Sequence, residues 1–206
     1  FMLELGDEFY FTTENPNGTP DAVYISYPDF HNDVRVGEKI LLDDGKIEVQ
    51  VTEITANNRV KVQVVVPGFL SSRKGVNLPD TAISLPSLSE KDLSDLDFIV
   101  EQGIDWIALS FVRRPVDVTA LRQILKEKGS HAKIISKIEK PEALEHLREI
   151  ILASDAVMVA RGDLGVELPL EQIPMLQKKI IRMCIHRAKP VIIATQMMES
   201  MLDRTR

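Results

Sequence analysis

The chain has 206 residues, of which 44% are hydrophobic and 27% are charged, a composition typical of soluble globular domains and unlike disordered or fibrous proteins. Lys and Arg number 25 against 31 Asp and Glu, and the net charge of -6 excludes a general attraction to nucleic acids or anionic membranes. A lone cysteine, Cys184, excludes an internal disulfide and a multi-cysteine zinc site, and no apolar stretch reaches membrane-spanning length, so we expect a cytoplasmic protein.

The first part of the chain, up to about residue 85, consists of short alternating segments separated by turn residues. Gly45 accepts the positive φ of a tight turn, and valine recurs at every second position from Val60 to Val66, as in a strand with one buried face. Two hairpins are predicted, one pairing residues 39–42 with 46–51 and one pairing 47–54 with 59–66. These features predict a small β domain at residues 1–85.

Beyond residue 86 the pattern changes to alternating helices and strands, which is typical of a parallel sheet with crossover helices. Ser89 is suited to cap the first helix, and Gly103 to end it. Predicted strands cover 106–111, 134–138, 156–160 and 191–195, and predicted helices cover 89–100, 116–128, 141–151 and 174–183. The regular spacing favours a (β/α) barrel over a doubly wound sheet.

A complete (β/α)8 barrel takes about 250 residues, whereas residues 86–206 amount to about half of that length. We therefore predict an α/β fold in which a partial TIM barrel, 86–206, accompanies an all-β domain, 1–85. Residues 201–206 stop without a terminal cap and Phe1 begins inside a strand-like pattern, so we expect the chain to be a piece of a longer protein.

We look for catalytic groups at the carboxyl ends of the predicted strands, because active sites of barrel enzymes lie at that edge of the sheet. Lys137 and Glu139 are two residues apart, so in a strand they point to the same side. Asp163 follows the next strand, and with Glu139 it offers two carboxylates for Mg2+. A plain ion pair at the barrel rim is the alternative interpretation.

Four further residues at strand ends or in the connecting segment have both a structural and a functional interpretation. Gly162 and Gly165 bracket Asp163, and their lack of a Cβ would let backbone N–H groups approach an anion, although glycine is also common in ordinary turns. Thr195 closes a predicted strand, the commoner role for a β-branched residue. Lys74 and the preceding Arg73 form a short basic segment that is either solvated or in contact with nucleotide phosphates.

Four sequence strings closely resemble the pyruvate kinase family: KGVNLP at 74–79, ISKIEKPEAL at 135–144, DAVMVARGDLGVELP at 155–169 and VIIATQMMESM at 191–201. The similarity covers nearly the whole chain. Residues 3–85 resemble most of the family's mobile β domain, and the remainder resembles barrel strands four to seven. The resemblance implies a partial TIM barrel with an inserted lid, and transfer of the phosphoryl group of phosphoenolpyruvate to ADP, giving pyruvate and ATP.

The resemblance also implies a role for each matching position. Lys137 is expected to stabilise the transferring phosphoryl group and the enolate, and Glu139 and Asp163 to bind Mg2+. Thr195 is expected beside the enolate face where the methyl group forms.

Substrate and nucleotide contacts complete the expected site. Gly162 and the backbone of Asp163 are expected to bind the substrate carboxylate, and Lys74 to contact a nucleotide phosphate from the lid side. Ser110 and Phe111 match a family motif, to which we assign no role from the sequence.

The family further implies K+, whose ligands would lie outside this chain, and a homotetramer in the full-length protein. We expect the 206-residue chain alone to be inactive. Two alternatives remain open at this stage. One is a Mg2+-dependent lyase or aldolase acting on a pyruvate enolate, and the other is a non-catalytic truncated fragment.

Overall fold

The computed structural model describes residues 1–14 and 17–194. These residues form two compact units, one of Phe1–Ser84 and one that begins at Leu85. Each unit has its own hydrophobic core.

The first unit is a β structure with one short helix. Its elements are β1 (Met2–Leu3), β2 (Glu8–Thr12), β3 (Ala22–Tyr24), α1 (Phe30–Asp33), β4 (Lys39–Leu42), β5 (Ile47–Ile54), β6 (Val60–Val66), β7 (Gly68–Phe69) and β8 (Val76–Asn77). The larger sheet has the strand order β3-β2-β6-β5-β4-β8, and β1 pairs with β7. Phe9, Phe11 and Phe30 pack edge to face at the centre of its core.

The structure confirms both predicted hairpins of this unit. β4 pairs antiparallel with β5, and β5 pairs antiparallel with β6. Gly45 has a φ of 81° and Asn58 a φ of 57°, so both turns use the left-handed region that these residue types tolerate.

The second unit alternates helices with parallel strands. Its elements are α2 (Glu90–Glu101), β9 (Trp106–Leu109), α3 (Pro115–Glu127), β10 (Lys133–Ile138), α4 (Glu142–Glu145), α5 (Leu147–Ala153), β11 (Ala156–Val159), α6 (Arg161–Glu167), a 3-10 turn (Leu170–Gln172), α7 (Ile173–Ile185) and β12 (Val191–Ile193). All neighbouring strands are parallel in the order β12-β11-β10-β9. This sheet with its crossover helices confirms the predicted α/β class.

Local sequence signals explain where the helices start. Ser89 accepts a hydrogen bond from the Asp92 N–H while the Asp92 carboxylate accepts one from the Ser89 N–H, which is the capping box expected for α2. Pro115 and Pro174 occupy the first turns of α3 and α7, where proline costs no helical hydrogen bond.

Strand β10 shows how this sheet divides its two faces. Ile134, Ser136 and Ile138 are fully buried, whereas Lys137 on the alternate side is partly exposed. Ile134 and Ile138 join a core with the apolar faces of the helices. The alternation therefore places Lys137 on the more exposed face of β10.

Several predicted boundaries differ from the structure. Strand β9 ends at Leu109 rather than at residue 111, because Phe111 has a φ of 52° that no strand accommodates. The single helix predicted at 141–151 is divided at His146, which lies between α4 and α5 with a φ of -108°. Strand β11 ends at Val159, one residue early, and the described part of β12 ends at Ile193.

Within the described ranges, no helix combines the length and the apolar character that crossing a bilayer requires.

Candidate active site

The predicted catalytic residues of the second unit lie at the carboxyl ends of β10 and β11. Lys137 is the next-to-last residue of β10, and Glu139 immediately follows that strand. Because Ile138 between them is fully buried, Lys137 and Glu139 share the opposite side of the strand.

Lys137 and Glu139 form a close ion pair. The Lys137 Nζ lies 2.6 Å from the Glu139 Oε1, and the exposed fractions of the two side chains are 27% and 2%. The same Nζ donates a hydrogen bond of 3.0 Å to the Ser110 Oγ. A carboxylate this deeply buried needs such partners, because an unpaired buried charge is strongly disfavoured.

The second oxygen of Glu139 also has a partner. The Phe111 N–H donates a hydrogen bond of 2.7 Å to the Glu139 Oε2. Ser110 and Phe111 directly follow β9, the strand that pairs with β10. The sequence reasoning missed this contribution because it extended β9 through both residues.

Asp163 and Gly162 lie in the first turn of α6, which follows β11 after Ala160, and both are exposed. Among the described residues, no ion pair joins Asp163 to Lys137. Arg161, at the start of the same helix, donates a hydrogen bond of 2.8 Å to the Ala194 carbonyl beyond β12. The structure therefore presents Asp163 to solvent rather than locking it into the Lys137 and Glu139 pair.

Gly165 has a packing role in the structure. Gly165 lies inside α6, where a Cβ would come within 2.9 Å of the Leu170 Cδ2. Its lack of a side chain makes room for Leu170.

A second buried ion pair, not predicted from the sequence, involves Lys140, the residue that follows Glu139. The Lys140 ammonium contacts the Glu167 carboxylate at the end of α6, and the exposed fractions of the two side chains are 9% and 2%. These residues are 27 positions apart, so only the fold brings them together.

Lys74 belongs to the β unit. Its Nζ lies 2.9 Å from the Asp43 Oδ1, and Asp43 also binds Lys46 at 3.0 Å. The hydrogen bond to Asp43 raises the pKa of Lys74, and the hydrogen bonds from Lys74 and Lys46 lower the pKa of Asp43. Thr195 lies outside the described residues.

The site's donor set is chemically suited to Mg2+. Across residues 1–14 and 17–194, no group of three or more His, Cys, Asp or Glu side chains is gathered for a metal. Mg2+ prefers oxygen ligands and is often bound by only one or two carboxylates, with water and substrate phosphates supplying the rest. Each Glu139 oxygen uses one hydrogen bond, which leaves lone pairs on both oxygens.

Comparison with known proteins places these features in one family. The family model described as "Pyruvate kinase, barrel domain" matches residues 1–206. The chain belongs to the pyruvate kinase family. This confirms the resemblance inferred from the sequence strings.

Curated pyruvate kinases share close to half of their aligned residues with the chain. The pyruvate kinases of Corynebacterium efficiens and Corynebacterium glutamicum are both 46% identical over 205 residues, covering 100% of this chain and 43% of each relative. A pyruvate kinase of Staphylococcus aureus is 47% identical over 200 residues, covering 97% of this chain and 34% of that protein. The chain thus spans well under half the length of these pyruvate kinases.

Proposed function

We propose that the full-length gene product containing this chain transfers the phosphoryl group of phosphoenolpyruvate to ADP, giving pyruvate and ATP. The observation that carries the proposal is the Lys137 ammonium held 2.6 Å from a buried Glu139 carboxylate at the carboxyl end of a parallel sheet. Membership of the pyruvate kinase family supplies the reaction for which this arrangement is suited.

Lys137 would act by neutralising charge. Phosphoryl transfer asks a protein mainly to position the reactants and to stabilise negative charge on the equatorial oxygens. An ammonium about 4 Å from one such charge, at an effective dielectric constant near 20, contributes about 4 kcal/mol. If this contact forms only in the transition state, it corresponds to about a thousandfold in rate.

Glu139 and Asp163 would hold Mg2+, and their oxygen ligands agree with that cation's preference. The bound cation would supply charge neutralisation and orientation for the phosphoryl oxygens. Glu139 would also orient the Lys137 ammonium, because its Oε1 lies 2.6 Å from the Lys137 Nζ. Asp163, being exposed in the first turn of α6, is accessible to such a ligand.

The remaining roles are proposals that rest on the family resemblance. Gly162 and the Asp163 backbone would bind the substrate carboxylate, and Thr195 would face the enolate carbon. Lys74 would contact a nucleotide phosphate, and the β unit would serve as a lid. K+ dependence and a homotetramer are proposed for the full-length protein on the same ground.

The test uses Lys137→Met in the full-length gene product. We expect kcat for ADP-dependent pyruvate formation to fall about a thousandfold while the KM for phosphoenolpyruvate changes by less than about threefold, because the lost contact belongs to the transition state. Coupled assays with and without ADP separate phosphoryl transfer from lyase chemistry.

Lys133→Met is the matched control. Lys133 begins the same strand, where its ammonium lies over the Trp106 ring at 5.1 Å, and it has no part in the proposed site. This control is expected to keep the wild-type kcat. The proposal would be contradicted by a Lys137→Met protein with near wild-type turnover. It would also be contradicted if the wild-type protein released pyruvate at the same rate with and without ADP.

A further inference from the structure

The segment that links β9 to α3 contacts both members of the Lys137 and Glu139 pair. The Ser110 hydroxyl accepts a hydrogen bond from the Lys137 Nζ at 3.0 Å, and the Phe111 N–H donates one to the Glu139 Oε2 at 2.7 Å. Ser110 and Phe111, which directly follow β9, thus hydrogen-bond to the ammonium and the carboxylate at the end of β10.

The backbone at Phe111 is in a conformation that residues with a Cβ usually avoid. Its φ is 52°, in the left-handed region, and its side chain is 55% exposed. Burial of the ring therefore does not explain this conformation. Such outliers persist only where the surrounding structure dictates them, and they concentrate at functional sites.

The surrounding structure fixes this segment on both sides. Leu109 precedes it in the core, and Val112 follows it with no exposed surface. The buried Asp117 carboxylate accepts hydrogen bonds from the Arg113 and Arg114 N–H groups at 2.8 and 3.0 Å. These anchors hold residues 110 and 111 in place and direct the Phe111 N–H to Glu139.

We propose that Ser110 and the backbone N–H of Phe111 are positioning groups that set the geometry of the Lys137 and Glu139 pair for phosphoryl transfer. This inference rests on the function proposed above. Among the described residues, Lys137 contacts Ser110 and Glu139, which uses two of its three N–H donors and leaves one for a substrate oxygen. Ser110 thereby restricts the ammonium to one direction beside Glu139.

Ser110→Ala in the full-length gene product tests the first contact, because it deletes only the hydroxyl. We expect kcat to fall about tenfold, the usual effect of losing one hydrogen bond to a charged group, with KM for phosphoenolpyruvate changing less than twofold. Ser110→Thr keeps the hydroxyl and is expected to restore most of kcat. The thermal midpoints of both Ser110 variants should match that of the wild type.

A double-variant cycle separates positioning from a general structural role. If Ser110 acts through Lys137, then Ser110→Ala causes no further loss in a Lys137→Met background. Unchanged kcat in Ser110→Ala, or an equal tenfold loss with and without Lys137, overturns the inference for Ser110. A fully active Lys137→Met protein contradicts the proposed function itself, so the two failures are distinguishable.

The Phe111 contact is tested by a pair of substitutions that differ in backbone freedom. Phe111→Gly keeps the N–H and accepts a positive φ, so its loss of kcat should be smaller than that of a residue that disfavours a positive φ. Phe111→Val keeps the N–H but disfavours a positive φ, and we expect about a tenfold loss. Equal losses in both variants would assign the effect to the ring, and full activity in Phe111→Val would remove the backbone from the mechanism.

Discussion

Among the described residues, deeply buried ion pairs occur in the second unit and not in the β unit. In the β unit the pairs lie on the surface, as with Lys39 and Glu48, whose exposed fractions are 54% and 20%. In the second unit the Lys137–Glu139 and Lys140–Glu167 pairs are buried, and both carboxylates are only 2% exposed. Other pairs of this unit, such as Lys91 with Asp95, lie on the surface. Surface pairs contribute little to stability and need no special explanation, whereas buried pairs carry a desolvation cost. Burial of the carboxylate, rather than the presence of an ion pair, therefore distinguishes the Lys137–Glu139 pair of the candidate site from the surface pairs.

The largest effect that tests this comparison is expected at Glu167. Glu167→Leu leaves the Lys140 ammonium buried without its carboxylate, and breaking a buried pair in this way costs about 3–5 kcal/mol. The free energy of unfolding by urea measures the loss. Glu8→Gln is the matched control, because it breaks the surface pair of Glu8 with Lys61 and is expected to leave the unfolding midpoint unchanged.

A second variant isolates the unpaired charge from the loss of packing. Lys140→Met combined with Glu167→Leu removes both charges and should recover most of the stability, since apolar replacements of buried pairs are often neutral or stabilising. If the double variant is no more stable than Glu167→Leu alone, the buried charge is not the cause.

Local signals predicted much of the fold. The positive φ of Gly45, the cap at Ser89 and the strand at residues 134–138 each depend on residues close together in sequence, and the structure bears out all three. The two-residue periodicity of a strand correctly placed Lys137 beside Glu139.

The features that sequence reasoning missed depend on contacts between distant segments. Nothing local to Lys140 identifies Glu167, 27 residues away, as its partner. Phe111 has high strand propensity, yet its backbone has a positive φ next to the buried Val112 and the backbone N–H groups that bind the Asp117 carboxylate. Tertiary contacts therefore override propensity at the strand end where the candidate site lies.

An intermediate effect is expected at Asp155, a half-buried carboxylate near the start of β11. It accepts hydrogen bonds of 2.8 Å from the Ile134 N–H and from the Arg122 Nη2. Burial raises the pKa of Asp155, but these hydrogen bonds and the Arg122 charge outweigh it and lower the pKa below its ordinary value. Asp155→Ala should therefore lower the free energy of unfolding at pH 7 by about 2 kcal/mol.

The pH dependence of this loss follows from the direction of the shift. A lowered folded-state pKa means that the stabilisation is complete above the unfolded-state pKa, which is about 3.9 for Asp. It is lost as the pH falls through the lowered folded-state value. The difference in unfolding free energy between wild type and Asp155→Ala should shrink only below about pH 4. A difference that is already gone at pH 5 would contradict this account.

The smallest effect is expected at Asp43, which pairs with Lys74 and Lys46 on the surface of the β unit. The pKa of Lys74 is raised by its hydrogen bond to Asp43, so Asp43→Asn should return that pKa towards its ordinary value without a measurable change in the unfolding midpoint. Acetylation by acetic anhydride near neutral pH reports the change, because only the unprotonated amine reacts, and Lys74 should react faster in the variant. Lys91, exposed in α2 and 3.9 Å from Asp95, is the internal control whose rate should stay constant. A fall in the unfolding midpoint as large as that of Asp155→Ala would show that burial does not separate the two classes of ion pair.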